Sequence, residues 1–171
     1  MEEPKAPFDV TSMDLTGPYL ATTRKNMHLL TFIDHVAKYA EDFPIPDQTA
    51  ETCARVYATQ IITRHGTGSK LITDHVRSFI STFFEETCRI LGIRKVNPSS
   101  YHPSCNYVMI ERFHPSLHSG LSHYVDSANT NWGIAVPFYL MAYRAKPNTT
   151  TAFSPYYLVH GREMALPSSE T

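Results

Sequence analysis

Three carboxylates stand out by where they fall: Asp14 in Met13-Asp14-Leu15-Thr16-Gly17-Pro18, Asp74 in Leu71-Ile72-Thr73-Asp74, and Glu111 in Ile110-Glu111-Arg112-Phe113. Each ends or faces an apolar segment that a folded chain buries, where an ionised carboxylate is costly unless a cation neutralises it. Three acids from distant segments suit a two-metal site. Hard divalent cations take oxygen ligands, and a pair of them clamps the attacking and leaving oxygens of a phosphoryl transfer. Chemistry on nucleic acid is the first expectation.

Positioning those acids calls for alternating strands and helices. Phe8 to Leu15 alternates loosely, Met27 to Asp34 is an apolar run suited to a central strand, and Tyr39 to Ile45 is a third strand closed by Pro46. Turns at Gly17-Pro18 and Arg24-Lys25-Asn26 make these an antiparallel meander. Thr49 caps a helix with Cys53, Val56, Tyr57 and Ile61 on one face, and Gly66 to Gly68 stops it. Lys70 to Asp74 reads as a short strand delivering Asp74 at its end. Ser78 is the expected cap of a second helix, in which Ile80, Phe83, Phe84, Cys88 and Leu91 recur at helical spacing before Gly92; both phenylalanines are read as core. Arg94 to Val96 is a last strand, and Asn97 to Asn106 is a loop rich in Pro, Ser and Asn. Beyond it, Ile110, Phe113, Leu117, Leu121 and Tyr124 form one apolar stripe, while Glu111, His114 and His118 share a different, exposed face. Trp132 to Arg144 is a further helix whose first part Pro137 should break, and the tail from Pro155 is weakly patterned.

At 171 residues the chain is long enough for one domain with a real core, and 42% apolar against 18% charged residues reads as globular. Cys53, Cys88 and Cys105 are odd in number and lack CxxC spacing, which argues against a disulfide framework and a cysteine zinc site; a reducing, intracellular compartment follows. No apolar run approaches the roughly 20 residues of a membrane span, and the first five residues are polar, so neither a membrane helix nor a signal peptide is expected. The net charge of -1 lacks the basic footprint of a general phosphate binder, so any DNA contact must be local.

A series of short motifs carries a resemblance. Asp14-Leu15-Thr16-Gly17-Pro18, Phe32-Ile33-Asp34-His35, Pro46-Asp47-Gln48-Thr49-Ala50-Glu51-Thr52, Leu71-Ile72-Thr73-Asp74, Leu91-Gly92-Ile93, Tyr101-His102-Pro103, Glu111-Arg112-Phe113-His114, Ala142-Tyr143-Arg144 and Phe153-Ser154-Pro155-Tyr156 occur in that order. Together they closely resemble the integrase catalytic core of long-terminal-repeat retrotransposons of the gypsy type and of retroviruses. The resemblance implies an N-terminal tail (1–6), a catalytic core (7–150) and a C-terminal extension of that core (151–171). It also implies an α/β, RNase H-like fold, a five-stranded mixed sheet flanked by helices. By motif match, Asp14, Asp74 and Glu111 are the catalytic set holding two Mg²⁺ or Mn²⁺ ions, Asp14 bridging both. The implied reactions of such a polynucleotidyl transferase are DNA 3′-end processing and strand transfer, both in-line displacements. The implied partners are the DNA element ends, the target DNA and further copies of the chain, without a membrane. Arg94, Lys95, His102, Asn106, His114 and His118 are the candidate DNA contacts, and Asp34 is read as a turn or core acid.

Departures from the family pattern open a second functional class. Thirty-six residues separate Asp74 from Glu111, one more than the family's usual 35, and the extra one falls between Asn106 and Glu111. Val76 and Tyr107 stand where the family has glycine, Ser104 replaces a glutamine, and Pro115 and His118 occupy helix positions that often carry basic residues. A β-branched valine resists positive φ, so if glycine's backbone is needed beside Asp74, strain of about 1–3 kcal/mol or a displaced carboxylate is expected. The His/Cys zinc module and C-terminal DNA-binding domain that flank this core in complete integrases are absent from the sequence. The alternatives are therefore a working transferase core and a domesticated or decayed core that binds nucleic acid or protein without chemistry.

Overall fold

The computed structural model describes residues 4–97, 108–123 and 130–167, with the side chains of Val108 and Glu111 outside the described part. Its elements are β1 (Val10–Thr16), β2 (His28–Asp34), β3 (Ala40–Ile45), α1 (Ala50–Val56), α2 (Thr63–His65), β4 (Lys70–Thr73), α3 (Thr82–Ile90), β5 (Arg94–Val96), α4 (Val108–Leu121), α5 (Trp132–Ala145) and α6 (Pro155–His160). A π-helical stretch, Tyr57–Ile62, joins α1 to α2 without a break. The five strands form one sheet in the order β3-β2-β1-β4-β5. β1 and β2 pair antiparallel, as do β2 and β3, whereas β4 lies parallel to β1 and β5 parallel to β4.

Register decides which residues share a face, since side chains directly opposite one another point the same way. Met13, Phe32 and Glu41 make one cross-strand row, and Leu15, Leu30 and Phe43 the next. That face packs on Cys53, Val56 and Tyr57 of the first helical stretch and on Phe84 and Cys88 of α3. On the other face run the rows Ser12–Ile33–Ala40 and Asp14–Thr31–Asp42. There Leu29 and Ile33 meet Ile110, Phe113 and Leu117 of α4 and Trp132, Val136 and Leu140 of α5. Each fully buried Leu or Phe contributes about 1.5–3 kcal/mol. The second of these cores thus fixes α4 and α5 over the face that carries Asp14.

Local signals explain most boundaries. The Thr49 side chain accepts the Thr52 N–H and caps α1, as expected. Gly17, at φ +123, follows β1 where an added Cβ would meet the Met27 carbonyl at 2.7 Å, so only glycine fits beside β2. Gly120 similarly lets the Tyr139 ring of α5 approach α4, because a Cβ there would lie 2.2 Å from that ring.

Four expectations are corrected. The cap of α3 is Ser81, whose hydroxyl accepts the Phe84 N–H, and not Ser78, whose hydroxyl instead donates to the Gln48 carbonyl. With the helix starting at Thr82, Phe84 and Cys88 face the sheet, and Phe83, about 100° further round, is 55% exposed and not core. Pro137 does not break α5. It forfeits one bond near the start of the helix, while Trp132, Val136 and Leu140 stay seated in the core. The tail holds a helix, α6, capped by Ser154, begun by Pro155 and ended by Gly161 at φ 70. Ser-Pro at the start and Gly at the end are readable helix punctuation. Tyr124 lies outside the described residues.

Candidate functional site

β1 and β4 are adjacent parallel strands with Met13 opposite Thr73. The next residue along each chain is Asp14, still within β1, and Asp74, just past the end of β4. α4 packs on β1 and β2 from the Asp14 face. Glu111 occupies a position on α4 one helical turn before His114; its carboxylate lies outside the described part, as do His102, Ser104, Asn106 and Tyr107.

Asp14 is buried and accepts the N–H of Leu15 at 2.8 Å on Oδ1. Its Oδ2 lies 3.4 Å from His114 Nδ1, and the other ring nitrogen of His114, Nε2, is 3.2 Å from the Thr31 hydroxyl. The sequence expectation of an exposed His114 is thus corrected: its side chain is 12% exposed and turned into the sheet. Burial pushes the imidazole down to about 4, with His118 adding to the effect. The neighbouring Asp14 carboxylate acts in the opposite sense. A neutral ring serves both partners when Nδ1 carries the proton toward Asp14 and Nε2 accepts from Thr31.

Asp42 completes that cross-strand row and was missed in the sequence. It is buried, and among the described residues neither carboxylate oxygen has a hydrogen-bond partner of normal geometry. Burial drives its carboxyl up to about 7, against the lowering influence of Thr31 and Arg144. Period-two alternation hints that Asp42 shares a face with Ala40, but only register aligns it with Thr31 and Asp14.

Asp74 is half-buried just beyond β4, and its Oδ1 accepts the Val76 N–H at 3.1 Å. Burial raises its pKa, opposed by that N–H, His75 and Lys95. Val76 is not among the described non-glycine residues with positive φ, which are Phe8, Lys25, Lys38 and Ala152. The strain foreseen from its β-branch is therefore not present. The turn after Asp74 closes with an ordinary backbone whose N–H secures the carboxylate.

The remaining candidates are dispersed. Lys95 on β5 donates to Asn97 at 2.8 Å and lies 3.8 Å from Glu85, with 8% of its side chain exposed, whereas Arg94 is exposed at the sheet edge. His118 is exposed on α4 and shares a hydrogen bond with the Tyr19 hydroxyl at 3.1 Å. Asp34 is a core acid, as read, accepting the N–H groups of Phe8 and Ala37. Cys53 and Cys88 are buried, and burial lifts their thiols to about 12 and about 11.

Carboxylate oxygens are the donor type that Mg²⁺ and Mn²⁺ prefer, so Asp14 on β1 and Asp74 just after β4 are chemically suited to such an ion. Among the described residues no group of three metal-ligating side chains comes together. A third ligand would have to come from the part that includes the Glu111 carboxylate.

The profile of the Integrase core domain family matches residues 4–103. The chain is 25% identical over 166 residues to the retrovirus-related Pol polyprotein from transposon 412 of Drosophila melanogaster, covering 97% of this chain and 13% of that protein. It is 24% identical over 164 residues to the gypsy retrotransposon integrase-like protein 1 of Bos taurus, covering 95% of this chain and 32% of that protein. The chain thus spans only a minor part of these relatives. Among solved structures, a chain of the simian T-cell lymphotropic virus intasome in complex with the PP2A regulatory subunit B56 gamma superposes with a TM-score of 0.77 at 20% identity, over 96% of this chain and 59% of that one. The HTLV-2 integrase catalytic core domain in complex with magnesium gives 0.72 at 18% identity, over 91% and 98%. The fold is the RNase H-like one that the motifs imply.

Proposed function

The chain belongs to the integrase core domain family, and on that premise we propose that it is a metal-dependent polynucleotidyl transferase core that trims a DNA 3′ end and joins it to a target phosphodiester. The observation that most supports this reading is the parallel pairing of β1 with β4, whose last paired residues, Met13 and Thr73, immediately precede Asp14 and Asp74, with α4, the helix that bears Glu111, packed on the Asp14 face. Asp14, Asp74 and Glu111 would hold two Mg²⁺ or Mn²⁺ ions, which when bound stabilise the attacking and leaving oxygens of an in-line displacement. The chain's own groups prepare that site. His114 orients the Asp14 carboxylate, the Val76 N–H restrains Asp74, and the core beneath α4 fixes the height of the helix over the sheet. The residues proposed as core are 7–150, with 151–171 as their extension. The proposed substrates are element-end and target DNA inside the cell, with His102, Asn106, Arg94 and His118 as candidate contacts. Related cores are solved in dimeric and trimeric forms, which supports a homo-oligomer here. No helix among the described residues is long and apolar enough to cross a membrane.

One observation favours the second reading, a core that keeps the fold without chemistry. Of the cationic candidates near the carboxylates, Lys95 is tied to Asn97 and Glu85, which leaves less positive surface for a DNA backbone. A strand-transfer assay on pre-cleaved oligonucleotides with Mg²⁺ or Mn²⁺, run beside Asp74→Asn, separates the two. Transfer by the parent and none by the variant is the expected result. Equal signals would remove the enzyme reading. The companion measurement is the rise of melting temperature with Mn²⁺, which should vanish in Asp14→Asn; an unchanged rise would place the ion elsewhere.

A further inference from the structure

A second concave site lies on the same face of the sheet but at the opposite end of β1. Its cavity has a volume of about 550 Å³ and is lined by Val10, four residues before Asp14. At about 3.3 Å per residue the two sites are some ~13 Å apart along the strand. Three cationic side chains reach this cavity from three separate segments: Lys38 from the β2–β3 turn, Lys70 from the first residue of β4 and Arg112 from α4. Asn148, Thr149 and Thr150, in the loop after α5, add amide and hydroxyl groups to the rim. Among the described residues that line it none is acidic, although the chain as a whole has 16 acids against 15 lysines and arginines.

Among the described residues none of the three cations has a carboxylate oxygen within the 4.0 Å of an ion pair. Asp34, the acid whose charge Lys38 senses, already accepts two backbone N–H groups, and the Lys38 ammonium donates instead to the His35 carbonyl at 2.7 Å. Lys38 itself sits at φ 59, in the left-handed region, where its N–H closes the turn onto the Asp34 carbonyl at 3.1 Å. Half-burying an ammonium is unfavourable, and burial lowers its pKa, opposed by the charge of Asp34, with which it forms no ion pair within 4.0 Å. Convergent cations in a concave site, without an ion-pair partner among the described residues, attract a multiply charged anion. The arginine supplies a planar fork and the lysines point charges for phosphate oxygens. A cavity of this volume is within the size range of small-molecule sites.

We propose that the cavity between Lys38, Lys70 and Arg112 is a phosphate-binding site, separate from the Asp14–Asp74 pair, for a polyphosphate or a phosphodiester segment. It does not rest on the metal reading, because none of its residues is a candidate metal ligand. The test uses the whole chain in EDTA, so that no divalent ion is shared with the anion. Sodium tripolyphosphate at about ten times its dissociation constant should raise the melting temperature by about 3–6 °C over sodium chloride of equal ionic strength. The rise should disappear in Lys70→Gln with Arg112→Gln and persist in Asp14→Asn. Arg112→Gln alone, at an exposed position, should reduce it and serves if the double variant folds poorly. Fluorescence anisotropy with a labelled DNA oligonucleotide identifies the source of the phosphate. Weaker binding and a shallower salt dependence in Arg112→Gln would assign the site to a DNA backbone, and unchanged DNA binding to a free polyphosphate. No stabilisation beyond that of sodium chloride, or the same stabilisation in the Lys70 and Arg112 variants, would overturn the proposal.

Discussion

A single imidazole links the candidate catalytic carboxylate to the sheet. His114 bridges Asp14 and Thr31, and with burial holding it neutral it acts as a hydrogen-bond strut between strand and helix. Partners of this kind typically set metal affinity by fixing ligand orientation, and their loss costs about 10–100-fold. His114→Ala should therefore weaken Mn²⁺ binding by about that factor in a calorimetric titration, while His114→Asn, which keeps one donor, should retain most of it. An Ala variant that binds Mn²⁺ as tightly as the parent would show that Asp14 needs no such support.

At the level of elements, the segment from β4 to α3 carries one departure from the family pattern, Val76, and tolerates it. Val76 contributes its N–H to Asp74 and part of its side chain to the first core. Glycine there would lose that packing and gain freedom in the unfolded chain, with no positive φ to relieve. Val76→Gly should thus lower stability by about 1 kcal/mol in urea denaturation rather than restore a strained loop. A stabilised variant would mean that the turn is strained after all. Cap position matters in the same segment. Moving the cap from Ser78 to Ser81 leaves residues 75–80 as the irregular stretch that follows Asp74.

For the molecule as a whole, adjacent residues on edge strand β3 set opposite pH dependences. Glu41 is buried, which alone would raise its pKa, but His65 and Arg64 at 2.6 Å and Arg144 at 3.6 Å pull it below the ordinary value. Its contribution is present above the unfolded carboxylate pKa and is lost as pH falls through the lowered folded value. Because Arg64 is 44% exposed, Glu41→Gln should cost only about 1–3 kcal/mol near neutral pH, less under acid, as read by urea denaturation. Asp42 behaves in reverse. With its carboxyl raised from 3.8 to about 7, stability is full below the unfolded value and declines as pH rises through that window. Asp42→Asn should consequently gain about 2–3 kcal/mol on the parent between about pH 5 and about pH 8. Parallel stability curves for the two proteins would show that Asp42 finds a partner in solution.

Local pattern alone determined the strands, the Thr49 cap, the buried stripe of Ile110, Phe113, Leu117 and Leu121, and, through motif order, the family and its RNase H-like sheet. These are legible because periodicity, turn chemistry and short motifs act over a few residues. Pro137 within a helix and Phe83 facing outward were not legible, since whether a proline is tolerated or a phenylalanine buried depends on what packs against the helix. The same limit hid the row Asp14–Thr31–Asp42 and the cluster of Lys38, Lys70 and Arg112, whose members are far apart in the chain. Strand register and the crossing of α4 over the sheet brought them together. Both are settled by burying apolar surface over the whole fold, and no window of the sequence contains that sum.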